Sequence, residues 1–265
     1  MKKNKRKRKV LPIVLTLMIL VLAGFASYNV FQVRHVLVEG NEEYSADYIV
    51  TLADIPDETL MIRVDENKLE ENIGGNPFLS LENVDYKLPD TVVLTVLERK
   101  PAAVLTYAGN VLLLDREMNV LEMDASAESA NYPELQGIAV EALNLGKQLQ
   151  TADAFKLSVA TSILDELKTQ DALGMVGVID LTDINNIRLK TKGGPGVLFG
   201  QSDNPAGKIG WMVKLLPSLI QEGSTQGILD VTAGTFATYR RDGAQDNTNT
   251  DTQEPEEQNG EEDTA

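Results

Sequence analysis

Between Val10 and Phe31 the chain carries 22 consecutive residues without a charge. Coiled as an α-helix at about 1.5 Å per residue, they reach roughly 33 Å, enough for a hydrocarbon core of about 30 Å. Lys2, Lys3, Lys5, Arg6, Lys7, Arg8 and Lys9 stand directly before them and hold seven of the 24 basic residues. Basic flanks stay cytoplasmic, so the pattern predicts a single-pass type II anchor over 10–31, with a cytoplasmic segment 1–9 and everything from Gln32 facing outward. Tyr28 and Phe31 then fall at the outer interface, where aromatic rings gather. Pro12 falls in the first turn of the span, where its missing N–H costs little. Setting topology accounts for the basic cluster, and attraction to anionic lipid at about 1 kcal/mol per residue is not needed. A cleaved signal peptide is the competing reading, with Gly24 and Ala26 in the −3 and −1 places. The apolar run exceeds the ~7–15 residues of a signal core and leads straight into structured sequence at Val33, which favours the anchor.

The remaining composition narrows the chemistry. The chain has 265 residues, no cysteine and one histidine. Without Cys there are no disulfides, thiolate metal sites or cysteine nucleophiles. His35 has no second His for a zinc site, and its place in a strand argues for a structural role. A formal net charge of −16 weighs against general nucleic-acid binding, which needs basic surface. From Asp242 to Ala265 there are nine acidic residues and no basic one. That tail has too few apolar residues to offset its chain entropy and is expected to be disordered over 242–265. Without the two ends, 17 basic face 31 acidic residues, so the body is acidic in its own right.

A first outward unit is expected over 32–100. Phe31 to Asn41 reads as a strand that alternates Val33, His35 and Leu37 against Arg34, Val36 and Val38, closed by a Gly40-Asn41 turn. Ser45 caps a short helix, with Tyr44 and Ile49 placed as a hydrophobic staple. A connector follows that dips into the core through Leu60 and Ile62. Asp65 caps a second helix, Glu66 to Ile73, stopped by Gly74-Gly75. Two strands come next: Leu81 to Leu88, with Val84, Tyr86 and Leu88 on one face, and Thr91 to Leu97. Pro89-Asp90 turns between them. The order is β-α-α-β-β.

Several of these features resemble one family when taken together. They are the basic end and apolar run, a Phe-x-Val-x-x-Val-x-Val-x-Gly-Asn strand from Phe31, Asn76-Pro77-Phe78, Lys87-Leu88-Pro89-Asp90-Thr91 and Glu98-Arg99-Lys100-Pro101-Ala102. Their order and spacing resemble the bacterial cell-division family FtsQ/DivIB. The resemblance implies that the first unit is a POTRA domain, a module associated with protein–protein contacts. It extends to Arg241 and omits 124–131 and the tail.

A second, larger α+β unit with a mostly antiparallel sheet is expected over 101–241. Ala103 to Tyr107, Val111 to Asp115 and Val120 to Met123 read as strands joined by turns. Tyr132-Pro-Glu-Leu-Gln-Gly137 resembles a Pro-x-Leu-x-Gly stretch of the family. Thr151 caps a helix to Gln170, where Phe155, Val159, Ile163 and Leu167 form an apolar stripe beside Leu157, Ala160 and Leu164, facing a sheet. Strands follow at Val176 to Leu181, Asn186 to Thr191 and Val197 to Phe199. Asn204-Pro205 starts a helix that Pro217 should kink or end near Leu216. Ile228 to Thr232 and Thr235 to Tyr239 complete the set.

No catalytic constellation stands out. Gly193-Gly-Pro-Gly196 lacks the remainder of a phosphate loop and reads as a turn before a strand. No Ser lies three residues before a Lys, and G-x-S-x-G is absent. Asp180-Leu-Thr-Asp183 lacks the further ligands of a calcium loop and reads as a solvated turn. The family resemblance implies a non-enzymatic divisome scaffold at the division septum, without cofactor, metal or small-molecule substrate, whose partners are FtsL-type and DivIC/FtsB-type single-pass proteins. The last strand, formed by Thr235, Phe236, Ala237, Thr238 and Tyr239, is the expected partner-binding edge, because free backbone groups there can take an added strand. Phe236 and Tyr239 are its side-chain anchors, and period-2 geometry places them on opposite faces, one of them buried. The alternatives are another envelope POTRA protein of transport or assembly, or a secreted envelope hydrolase. The first would need a barrel, and the residues after the unit hold no regular amphipathic strand repeat.

Overall fold

The computed structural model describes residues 4–123 and 131–241. Lys2, Lys3, the acidic tail and 124–130 lie outside the described residues, as do the side chains of Lys5 to Lys9. Helix α1 spans Asn4–Val30. It begins before the apolar run, because Lys and Arg are good helix formers, so Pro12 is interior to the helix and not in its first turn. Thr16 Oγ1 donates to the Pro12 carbonyl at 2.9 Å. Among the described residues no helix is long and apolar enough to cross a membrane, so the span over 10–31 remains an expectation.

The first unit has the expected order. Strand β1 (His35–Glu39) is followed by α2 (Ala46–Ala53), a single 3₁₀ turn (Met61–Arg63), α3 (Glu66–Ile73), β2 (Leu79–Lys87) and β3 (Thr91–Glu98). The sheet order is β1-β3-β2, with β1 parallel and β2 antiparallel to β3. Ser45 and Asp65 cap α2 and α3 through the amides of Tyr48 and Lys68, each at 3.3 Å. Ile49, Ala53, Leu69 and Ile73 from the helices bury against Leu79, Val92, Leu94 and Val96. Val36 and Val38 supply the inward face of β1, leaving His35 and Leu37 exposed.

Two expectations fail within this unit. In the connector Met61 is the buried side chain and Ile62 is 90% exposed: one tight turn offers a single residue to the core. On β2 a bulge between Leu81 and Asn83 breaks the alternation, so Leu79 and Leu81 face inward before it and Val84 after it, while Leu88 lies beyond the strand and is 73% exposed.

The second unit is one nine-stranded sheet. It comprises β4 (Pro101–Tyr107), β5 (Asn110–Asp115), β6 (Val120–Met123), β7 (Glu134–Gln136), β8 (Val176–Asp180), β9 (Ile187–Thr191), β10 (Gly196–Gly200), β11 (Ile228–Asp230) and β12 (Thr238–Arg240), with α4 (Ala154–Thr169) and α5 (Pro205–Gln221). Its order is β12-β11-β10-β9-β8-β7-β4-β5-β6. The β4–β7, β7–β8 and β10–β11 pairs are parallel and the others antiparallel. Parallel neighbours need a crossover: α4 and α5 lie in those between β7 and β8 and between β10 and β11, and β5 and β6 lie in the one between β4 and β7. Both helices contribute to one core: Val159, Ile163 and Leu167 from α4, and Ile209, Met212 and Leu216 from α5.

The structure corrects four further points. Asp153, not Thr151, caps α4 by accepting from Lys156 N at 3.2 Å. Phe155 leaves the stripe, lying 57% exposed in the first turn. Helix α5 continues through Pro217 to Gln221: the buried Leu216 and the packed Leu219 hold the last turn against the proline's cost of about 3 kcal/mol. The last strand is Thr238–Arg240, so Thr235, Phe236 and Ala237 precede it in irregular backbone.

Candidate partner interface

The last three strands form one end of the nine-stranded sheet. β10 pairs with β11 in parallel, and β12 adds antiparallel through Leu229↔Tyr239. β12 is the outermost strand, and among the described residues nothing pairs with its outer side. Asp230 ends β11 by turning its carboxylate back onto Thr232, accepting from its amide at 3.0 Å and its hydroxyl at 2.7 Å. The chain then loops through Gly234 and returns as β12.

Glycine makes this return possible at Gly227. Its φ is +125°, and a Cβ there would collide with the Arg240 carbonyl and approach Tyr239 Oη to 2.9 Å. The Tyr239 hydroxyl donates to the Gln226 carbonyl at 2.5 Å, and its ring is half-buried against the main core. Phe236 is 59% exposed. Of the two expected anchors, Tyr239 is therefore the one that holds the strand down, and Phe236 is the one offered to solvent. Strand alternation does not relate them, because Phe236 is not in the strand. Thr235 and Thr238 are exposed and Ala237 is half-buried.

Beside the end of β10, Lys208 of α5 is buried, yet its ammonium is satisfied. It donates to the Gln201 carbonyl at 2.8 Å and to Asp203 Oδ1 at 2.6 Å, and lies 5.2 Å from the Phe199 ring centre. The ammonium holds the Asp203 carboxyl below its ordinary range. Asn204 caps α5 through Gly207 N at 3.2 Å, so the loop after β10 is pinned at both ends.

The other sheet edge differs. Along β6, Val120 N donates to the Lys147 carbonyl at 3.0 Å and its own carbonyl accepts from Gly146 N at 2.8 Å. The chain's own segment thus covers the start of that edge.

The sequence reading missed what the family-like motifs do, which is to join the two units. Phe78 packs on Val104 and Leu113 of the second sheet. Arg99 donates to the carbonyls of Pro77 at 3.3 Å and Gly146 at 2.8 Å and stands 3.6 Å from Asp115 Oδ2. Glu98 accepts from the amides of Glu42, Glu43 and Tyr44 at 2.8 to 3.1 Å. Burial pushes the Glu98 carboxyl up, and these amides together with Lys100 bring it below its ordinary 4.5. An open cleft of about 290 Å³ lies alongside, where Lys100 pairs with Glu42 at 2.5 Å and Arg116 with Glu117 at 3.5 Å.

Elsewhere the polar turns are satisfied locally. Asp180 and Asp183 accept the amides of Thr182 and Asn185 at 2.9 and 3.0 Å, and the Thr182 hydrogen bonds hold the Asp180 carboxyl low. Among the described residues no three His, Cys, Asp or Glu side chains gather as a metal site.

Comparison with known proteins gives a consistent set. The family described as POTRA domain, FtsQ-type, matches residues 31–99. The chain is 28% identical over 198 residues to "Cell division protein FtsQ" of Syntrophotalea carbinolica, covering 74% of this chain and 68% of that protein. It is 22% identical over 188 residues to "Cell division protein DivIB" of Clostridium acetobutylicum, covering 71% and 74%. Over 221 residues it is 25% identical to "Cell division protein FtsQ" of Mycobacteroides abscessus, covering 82% and 66%.

Proposed function

Because this chain belongs to the FtsQ/DivIB family, we propose that it is a non-enzymatic scaffold of the division machinery, tethered by α1 and recruiting partners through the β12 edge. Its partners are single-pass septal proteins of the FtsL and DivIC/FtsB types, each adding a segment as a further strand. The observation that carries this reading is the asymmetry of the nine-stranded sheet: at one end Val120 is paired with 146–147, and at the other, among the described residues, β12 has no outer partner and lies beside an exposed phenyl ring. An uncovered edge invites an added strand, and aromatic side chains dominate interface energetics.

The tether rests on α1. Nine large apolar side chains between Ile13 and Leu22 are each more than half exposed, and they occupy every side of the helix. A helix apolar all round belongs in lipid or in a core. The seven basic residues of 2–9 favour a cytoplasmic start for it.

Capture of the partners by the full-length chain tests the reading. Phe236→Ala is the cleaner variant, because Tyr239→Ala also removes a core contact and the Gln226 hydrogen bond. Weakened capture by Phe236→Ala with unchanged thermal stability is the expected result. Unchanged capture by both variants would retire the edge.

A further inference from the structure

The two most exposed large apolar side chains among the described residues are Ile62 at 90% and Leu88 at 73%. Both sit at the same end of the first unit, the end from which α1 departs. The 3₁₀ turn bearing Ile62 is tied to the end of α1: Met61 N donates to the Phe31 carbonyl at 3.0 Å, Val33 N donates to the Thr59 carbonyl at 2.8 Å, and Gln32 bridges Leu60. Leu88 begins the β2–β3 turn, where the Asp90 carbonyl accepts from Arg34 N at 2.9 Å and from His35 N at 3.2 Å. Each exposed residue is thus only a few backbone hydrogen bonds from the segment 31–35. Tyr28 and Phe31 are 47% and 39% exposed, and with Leu60, Met61 and Ile62 they line an open groove of about 300 Å³ continuous with α1.

Scattered single apolar side chains on a surface need no explanation. Here two of them, with two aromatic rings, share one end with an apolar helix. We infer that this end is a membrane seat: Ile62 and Leu88 enter the interfacial layer of the outer leaflet beside α1, so that the first unit rests on the bilayer at three points and does not swing on a tether. The partner is a lipid surface. The charges beside the seat cancel, Arg34, Arg63 and Lys87 against Asp57, Glu58 and Asp90. The contact is therefore apolar and does not depend on anionic headgroups, unlike a basic amphipathic segment. This inference rests on the reading of α1 as the anchor.

The chain has no cysteine, so single-cysteine variants of the full chain each carry one environment-sensitive label. Ile62→Cys, Leu88→Cys, Leu17→Cys and Phe155→Cys are labelled with a nitrobenzoxadiazole dye. Each is reconstituted in nanodiscs of phosphatidylethanolamine and phosphatidylglycerol, and again in zwitterionic phosphatidylcholine. Leu17 is the reference for the hydrocarbon. Phe155, apolar and exposed but in the second unit, is the reference for water. The expected emission at 62 and 88 lies between these references, is quenched by spin-labelled lipids, and is the same in both lipid compositions and at high salt. Water-like emission at 62 and 88 with lipid-like emission at 17 would overturn the seat and leave the anchor standing. Water-like emission at 17 would overturn the anchor and the seat together. A lipid signal confined to anionic discs would overturn the apolar character of the contact.

Discussion

Replacing Glu98 by alanine should strongly destabilise the first unit beside its joint with the second. The carboxylate is 9% exposed and accepts from three successive amides, those of Glu42, Glu43 and Tyr44, with Glu43 reaching both oxygens. A hydrogen bond to a charged group contributes about 1.5–3 kcal/mol net. These amides border the open cleft, so water takes over part of their demand. A loss of about 3–4 kcal/mol for Glu98→Ala and about 1–2 kcal/mol for Glu98→Gln follows, the latter because the amide keeps one acceptor. Acid adds a second signature. The folded carboxyl lies below its ordinary 4.5, so the stabilisation it supplies is complete above that pH and is lost as the pH falls through the lowered value. Urea titrations of the full chain from neutral pH into the acid range, with amide exchange at 42–44, measure both effects. The wild type should lose stability below pH 4.5 more steeply than Glu98→Ala. A loss under about 1 kcal/mol for the alanine variant, or parallel acid limbs, would refute this account of the motif.

Other perturbations follow from the same structure. Lys208→Ala leaves Asp203 and the Gln201 carbonyl without their donor and should cost about 3 kcal/mol. Lys208→Met keeps the packing but also removes the donor and should cost about 1–3 kcal/mol for the lost charge-assisted hydrogen bonds, so a methionine variant as stable as the wild type in chemical denaturation would contradict the pairing described. Gly227→Ala forces a side chain into a positive φ against the Arg240 carbonyl; it should cost at least ~2 kcal/mol and speed amide exchange in β12 ahead of the other strands. Tyr86 is held up to about 12, by burial first and then by its 2.8 Å hydrogen bond to Glu66. Its contribution to stability is intact below pH 10.0 and is lost between there and about 12. An ultraviolet phenolate titration should show Tyr86 ionising above its ordinary 10.0, shifted earlier by Glu66→Gln.

How much of this was legible depends on how local each signal is. Asp65 before Glu66 and Asn204 before Pro205 fix helix starts through one side chain and one amide, and both appear where the sequence places them. The β-α-α-β-β order follows from periodicity in the same way. Features set by distant partners were hidden. β7 is three residues wedged in parallel between β4 and β8, with too little length to alternate. The bulge after Leu81 turns the parity of β2, and nothing in Glu82-Asn83 announces it. Pro217 reads as a stop because the propensity is local, whereas the packing of Leu216 and Leu219 that overrides it is not. In the second sheet, the position of the edge strand was legible from its place at the end of the pattern. The division of labour between Phe236 and Tyr239 was not, since it depends on where β12 begins. The motifs that carry the family resemblance conveyed no role until Arg99, Phe78 and Gly146 were seen to meet.

The scaffold reading stands or falls on which exposed ring meets a partner. Phe236 and Phe155 are exposed almost equally, 59% and 57%, so a photo-crosslinking phenylalanine analogue at either site is equally free to react. In dividing cells the account predicts adducts between position 236 and single-pass septal proteins, with few at 155. Adducts of equal yield at both positions, or at 155 alone, would contradict it.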